Sequence, residues 1–213
     1  MKSSLIYFLT ITFFLLVAII NALQEPIGIN TEMPDVTIPT EIQVPAGNNF
    51  VFSMYAIGIY NDLCRYNGSG GSEWIPVGPE AYLLNDISNY SYSPNAFSAV
   101  IATVPNQPLD GTVIITMDSI VPNDTSGIIY KKYAVSASTD PSNRESALFK
   151  VFYSDGNGTL LNITYIQEVS VSGGVHPNDS LCGTLYSDSG YFGSGFTSIL
   201  LFYKSNSTNQ TIN

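Results

Sequence analysis

The stretch Asp155-Gly156-Asn157-Gly158-Thr159-Leu160-Leu161-Asn162-Ile163-Thr164-Tyr165-Ile166-Gln167-Glu168-Val169-Ser170-Val171 decides how the rest of the chain is read. It opens on a turn. Glycine accepts positive φ, and Asp and Asn side chains bond to nearby backbone, so Asp155–Gly158 between two apolar runs is hairpin chemistry. The same residues begin like a calcium loop, but the later Asp or Asn ligands and the closing Glu are missing, and the hairpin is the better reading. Leu160–Val171 then reads as a strand. Leu161, Ile163, Tyr165, Val169 and Val171 share one face, with Gln167 the exception. Asn162, Thr164, Glu168 and Ser170 fall on the other face, which is expected to meet water.

Working outward, short runs rich in β-branched and aromatic residues are bounded by Gly, Pro, Asn and Asp. They predict strands at Asn49–Tyr60, Glu73–Val77, Ala81–Leu84, Ala96–Thr103, Gly111–Ser119, Gly127–Ala137, Ala147–Tyr153 and Phe196–Lys204, besides Leu160–Val171. Phe50, Phe52 and Met54 alternate with Val51, Tyr55 and Ile57, so both faces of that strand are apolar and it belongs in a central position. No window keeps the i, i+3, i+4, i+7 pattern of a long helix. The fold class expected is all-β: an antiparallel β-sandwich or flattened barrel of about 9–10 strands with one disulfide.

The first 22 residues read as a signal peptide: Lys2, an apolar run from Leu5 to Ile20, and a small-residue exit at Ala22. A retained anchor is the rival, but the run is short for a span of about 20 residues. Residues 23–40, with Pro26, Pro34 and Pro39, form an extended leader. Residues 41–204 form one β domain, and the polar residues 205–213 a disordered tail without a lipid-anchor signal. Asn67, Asn89, Asn123, Asn157, Asn162, Asn178, Asn206 and Asn209 each begin an Asn-x-Ser/Thr triplet, which predicts a heavily glycosylated secreted chain.

Cys64 and Cys182 are expected to pair, because the compartment is oxidising and the count even; two free thiols are the alternative. The chain carries 17 Asp and Glu against 7 Lys and Arg, a formal charge of −10, which disfavours nucleic-acid phosphates. Lys131-Lys132 is too small a basic cluster to change that. No membrane span is expected once the signal is removed, and no cofactor or metal.

Several segments together resemble a known family. They are Val44-Pro45-Ala46-Gly47-Asn48 with the strand ending Tyr55–Tyr60, then Cys64 and Trp74, then Pro79-Glu80-Ala81 and Leu83. Ile163–Val169, Gly173-Gly174-Val175-His176-Pro177, Cys182 and Leu201-Phe202-Tyr203 complete the set. Their order is similar to the family catalogued as domain of unknown function 3455, exported fungal and bacterial proteins, over roughly Ile38 to Lys204. That resemblance implies no assigned activity. The dehydrogenase label some fungal members carry finds no Gly-x-Gly-x-x-Gly after a strand here. The family's His-Tyr-x-Gly-Pro-x-Trp stretch is here Tyr90-Ser91-Tyr92-Ser93-Pro94-Asn95-Ala96-Phe97, without its His and Trp.

Candidate chemistry is sparse. The one histidine, His176, excludes a three-His zinc centre. It could serve as base to Ser194 or Ser180 with Asp179, although Gly193-Ser194-Gly195 is not a nucleophile elbow, and a turn role beside the disulfide is the simpler reading. Glu73, Glu80 and Glu168 are candidate carboxylates for glycoside hydrolysis, which needs two acids about 5–9 Å apart. Trp74, Tyr60, Tyr66, Tyr90 and Tyr92 are candidates for an exposed carbohydrate platform, against the common use of aromatics as core. The function expected is therefore a non-catalytic extracellular or cell-wall-associated protein that binds or coats. Its expected partners are cell-wall polysaccharide or another extracellular protein. An extracellular hydrolase of cell-wall carbohydrate or ester bonds is the alternative.

Overall fold

The computed structural model describes residues 24–66, 68, 70–87, 96–104 and 112–206. Its strands are β1 (Asn48–Tyr66), β2 (Ser72–Leu84), β3 (Ala99–Thr103), β4 (Ile114–Ser119), β5 (Gly127–Ser136), β6 (Ser146–Asp155), β7 (Ile163–Gly173) and β8 (Tyr191–Ser205). Each pairs antiparallel with the next, and β8 returns to β1, so the sheet closes into an eight-stranded barrel. Closure leaves no open sheet edge. Of the two expected architectures the barrel is the one formed. The strand number falls below expectation because Glu73–Val77 and Ala81–Leu84 are one strand. A register shift opposite Asn61/Asp62 lets β2 carry Pro76, Gly78 and Pro79 without breaking.

The barrel is filled. Phe52, Met54, Leu83, Met117, Ile128, Ile166 and Phe202 sit in one buried cluster, with the Phe52 and Phe202 rings stacked at 4.4 Å. Each such side chain contributes about 1.5–3 kcal/mol by leaving water. β1 pairs with β2 over Tyr55–Tyr66 and with β8 over Asn48–Leu63; every strand of a closed barrel has two neighbours, so the expected central position has no counterpart here.

A second apolar layer lies outside. Ile42, Leu148, Val169, Leu201 and Tyr203 are buried there, and Val36, Ile38 and Val44 of the N-terminal segment pack over them. The segment after the expected signal is thus largely extended, with one 3-10 turn at Thr40–Ile42, and it is bound to the barrel wall. Gln167 Nε2 donates to the Ile42 carbonyl at 2.7 Å, and Tyr203 Oη donates to Gln167 Oε1 at 2.8 Å. Burial pushes the Tyr203 phenol up to about 12.

This corrects the expected split of Leu160–Val171. A register shift between Ile163 and Tyr165 inverts the alternation, so Ile163 and Ile166 both join the interior. Glu168, expected to face water, is 8% exposed. The opposite face, Tyr165, Gln167 and Val169, is the one covered by the N-terminal segment.

Candidate functional site

The strand junctions β1/β2, β3/β4, β5/β6 and β7/β8 lie at one end of the barrel, here called the mouth. Two of them carry the chemistry. Residues 174–190 hold His176 and are tied to β1 by Cys64–Cys182, whose Cα atoms are 5.3 Å apart. Residues 137–145 hold Asp140, Arg144 and Glu145. The Arg144 amide donates to the Gly173 carbonyl at 2.9 Å, and the Gly173 amide donates to Asn143 Oδ1 at 3.0 Å, so the loops brace each other.

A cavity of about 540 Å³ opens between them, lined among others by Asp62, Trp74, Arg144, Val175 and His176. Asp62 is its most unusual wall. β1 alternates inward through Tyr60, Asp62 and Cys64, so strand parity carries a carboxylate to an interior position, 1% exposed. Asp62 Oδ1 is 2.9 Å from His176 Nδ1. Among the described residues no donor reaches Oδ2, which is itself closed to solvent. Burial pushes the Asp62 carboxyl up, the charge and hydrogen bond of His176 and the charge of Arg144 pull it back, and the balance stays above the ordinary value. When Asp62 is ionised it only accepts, so His176 Nδ1 donates and Nε2 is left for other work. Nε2 lies 3.9 Å from Asp179 Oδ1.

The Arg144 guanidinium lies 3.2 Å from the centroid of the buried Tyr60 ring, a cation–π contact. Its Nη2 is 3.5 Å from Glu145 Oε1, which also holds Lys132 Nζ at 2.7 Å. Burial raises Tyr60, against the pull of Arg144. Below it, Ser198 Oγ donates to Glu168 Oε1 at 2.7 Å. Burial raises Glu168 as well, with Ser198, Arg144 and Lys132 opposing.

The candidates separate cleanly. His176 lies in the mouth, but its close carboxylate is Asp62, which the sequence reading missed, and no hydrogen bond joins it to Ser180 or Ser194. Ser180 Oγ donates instead to Asn178 Oδ1. Glu73 is exposed and pairs loosely with Arg65 at 3.9 Å; Glu80 is exposed on the outer wall; neither accompanies the buried Glu168. Tyr60 and Trp74 are corrected as exposed platforms, being 3% and 7% exposed. The Trp74 ring packs against Tyr186 and Phe192, and its Nε1 donates to the Asn178 carbonyl at 3.2 Å. Tyr66 is exposed, as expected. Tyr90, Tyr92, Asn67, Asn89 and Asn209 lie outside the described residues. Asn123, Asn157, Asn162, Asn178 and Asn206 are all exposed.

Two other cavities compete. One of about 680 Å³ lies along Asn48, Lys150 and Tyr165, where Thr164 Oγ1 already donates to Asn48 Oδ1 at 2.7 Å. One of about 470 Å³ borders Asn85, whose Oδ1 has no partner but whose Nδ2 donates to Glu25 Oε2 and the Pro26 carbonyl. An unmade bond costs more on a carboxylate than on a neutral amide, which singles out Asp62. Among the described residues no three His, Cys, Asp or Glu are grouped to hold a metal ion, and no helix is long and apolar enough to cross a membrane. The chain matches no family model, no curated protein and no solved structure.

Proposed function

We propose that this chain is a secreted, N-glycosylated, non-catalytic binding protein of the extracellular space or cell wall, and that its ligand docks at the barrel mouth. One observation carries the reading: a cavity of about 540 Å³ at the mouth is lined by a buried carboxylate, Asp62, together with His176 and Arg144. The cavity volume falls within the roughly 300–1,000 Å³ usual for ligand sites. Export is supported by the N-terminal apolar pattern, by exposed Asn-x-Ser/Thr asparagines and by a disulfide compatible with an oxidising compartment. Membership of the family catalogued as domain of unknown function 3455 is part of the same proposal and rests on the residues quoted above.

A second reading has its own observation. The Asp62–His176 hydrogen bond orients an imidazole with Nε2 free to move a proton, as a hydrolase requires. Both readings meet one experiment: a pull-down of the oxidised glycoprotein on insoluble cell-wall polysaccharides, with soluble products assayed in the same tubes. Retention without released sugar, reduced in Asp62→Asn, is expected. Release that disappears in His176→Gln would overturn the non-catalytic reading. Retention indifferent to Asp62→Asn would overturn the mouth as the site.

A further inference from the structure

We propose a second binding surface, on the outer wall of β5, β6 and β7: it holds an acidic polysaccharide, a sugar chain bearing carboxylates, through Lys131 and Lys150 beside the Tyr133–Tyr165 ring pair. The sequence sets Lys131 next to Lys132, but folding gives them different neighbours. Lys132 Nζ is held by Glu145 Oε1 at 2.7 Å. Lys131 instead stands directly across from Lys150 of β6, and Lys150 directly across from Tyr165 of β7. Directly opposed residues share a face of the sheet, with Cβ atoms about 4.5–5.5 Å apart. Both lysines are exposed, while Tyr130, Phe149 and Val151 beside them in the chain pack in or against the interior, so the shared face is the outer one.

Like charges directly opposite each other destabilise a sheet. A nearby carboxylate would relieve that repulsion, and the chain is rich in them, with 17 Asp and Glu against 7 Lys and Arg. Yet among the described residues neither Lys131 nor Lys150 has a salt-bridge partner. Basic charge is gathered on this side of an acidic molecule: Lys131, Lys132, Arg144, Lys150 and Lys204 all fall in β5 to β8 or the loop 137–145. An anion laid along the row supplies the counter-charge that the fold leaves out.

The rings narrow the kind of anion. Tyr133 and Tyr165 meet edge to face at 6.0 Å, and Tyr133 is 59% exposed, so an aromatic surface borders the lysines and suits the C–H face of a sugar ring. Lys150 and Tyr165 also line the cavity of about 680 Å³, which shares no residue with the cavity at the mouth. The polar side chains there are turned to one another or to backbone: Thr164 donates to Asn48, and Asn48 Nδ2 donates to the Pro45 carbonyl at 2.9 Å. Charge and aromatic contact are therefore what this wall offers. A nucleic-acid duplex, with a charge about every 1.7 Å, would be repelled by the rest of a chain carrying −10. A sugar acid brings one charge per ring, which a short basic row can match.

The test is calorimetric titration of the full oxidised glycoprotein with galacturonate and glucuronate oligomers, a neutral galactose oligomer of equal length and a duplex oligonucleotide, each at low and high salt. At least one uronate oligomer is expected to bind, about threefold or more weaker at high salt as its charge is screened. The double variant Lys131→Gln, Lys150→Gln should weaken that binding about tenfold, and both positions are exposed, so the barrel is kept. Tyr133→Ala should weaken it too, with rescue by Tyr133→Phe. Arg65→Gln, which removes a cation on β1, and Asp62→Asn, at the mouth, should leave it within about twofold. Asn206 also lines the cavity, so Asn206→Gln is included; loss of uronate binding there would assign it to the attached sugar and overturn the lysine row. Uronate binding untouched by the lysine variant, or equalled by the neutral oligomer or the duplex, would overturn the proposal, as would no uronate binding at all. None of these results bears on Asp62→Asn in the pull-down, so the mouth stands or falls separately.

Discussion

Two aspartates at opposite ends of the barrel are used in opposite ways. Asp124, in the loop between β4 and β5, accepts from the Ser126 amide and hydroxyl with Oδ1 and from the Thr159 amide with Oδ2. Burial alone would raise its carboxyl, but those hydrogen bonds hold it below the ordinary value. Asp62, at the mouth, has one partner on Oδ1 and none on Oδ2, and burial keeps it above the ordinary value. The first carboxylate is spent on the fold: it clips the β6–β7 loop to its neighbour. The second is left with unused capacity where two loops and a cavity meet. The difference sets the two apart physically: one carboxylate is saturated within the fold, and the other is buried with one oxygen unmatched beside the proposed site.

The largest expected effect tests how far the mouth depends on its tether. Replacing Cys64 and Cys182 together by Ser frees a loop spanning 118 residues, for which chain entropy suggests about 4–5 kcal/mol. Urea unfolding should register that loss. Oligosaccharide binding should fall with it, since the loop carrying His176 is anchored at Cys182. Next, the two aspartates should respond with opposite sign. Asp124→Ala is expected to cost about 1–2 kcal/mol by orphaning two amides, whereas Asp62→Asn should leave stability unchanged or slightly higher, because a buried charge lacking a full set of partners disappears. Equal losses in the two variants would erase the distinction drawn above.

The pH dependence should separate them again. Asp124 has a lowered folded value, so its contribution is present above the unfolded carboxylate range and is lost as pH falls through the folded value. Asp62 has a raised folded value, so its charge destabilises above that value, and the cost is relieved as pH falls through it. The gap between wild type and Asp124→Asn should therefore close on acidification, and the advantage of Asp62→Asn should close as well. Urea midpoints measured from neutral to acid pH check both signs. The smallest effect belongs to the exposed Arg65–Glu73 pair at 3.9 Å, where Glu73→Gln should change stability by less than about 0.5 kcal/mol.

Much of the fold was legible because closed antiparallel sheets leave a strong alternation in the chain. The eight strands lie largely within the runs read from composition. What misled was local. The shift between Ile163 and Tyr165 reversed which face of β7 points inward, and periodicity cannot place a bulge. The same strand is covered outside by residues 34–44, so its second face is dry for a reason that lies over a hundred positions away.

The site was half legible. His176 stood out as the one histidine and does reach the mouth. Asp62 did not, because a lone carboxylate next to Asn61 reads as a strand end. The signal was there in parity: Tyr60, Asp62 and Cys64 share a face, and a face expected to hold a disulfide is a buried one. Glu73, Glu80 and Trp74 were chosen for their neighbours in sequence, but β2 turns both glutamates outward and Trp74 into an aromatic cluster.

The most direct test is a high-resolution crystal structure of the glycoprotein grown with a fragment of the cell-wall polysaccharide that retains it. We expect the sugar in the mouth cavity, against Asp62, Arg144 and His176. A ligand bound elsewhere, with the mouth cavity empty, would contradict the account.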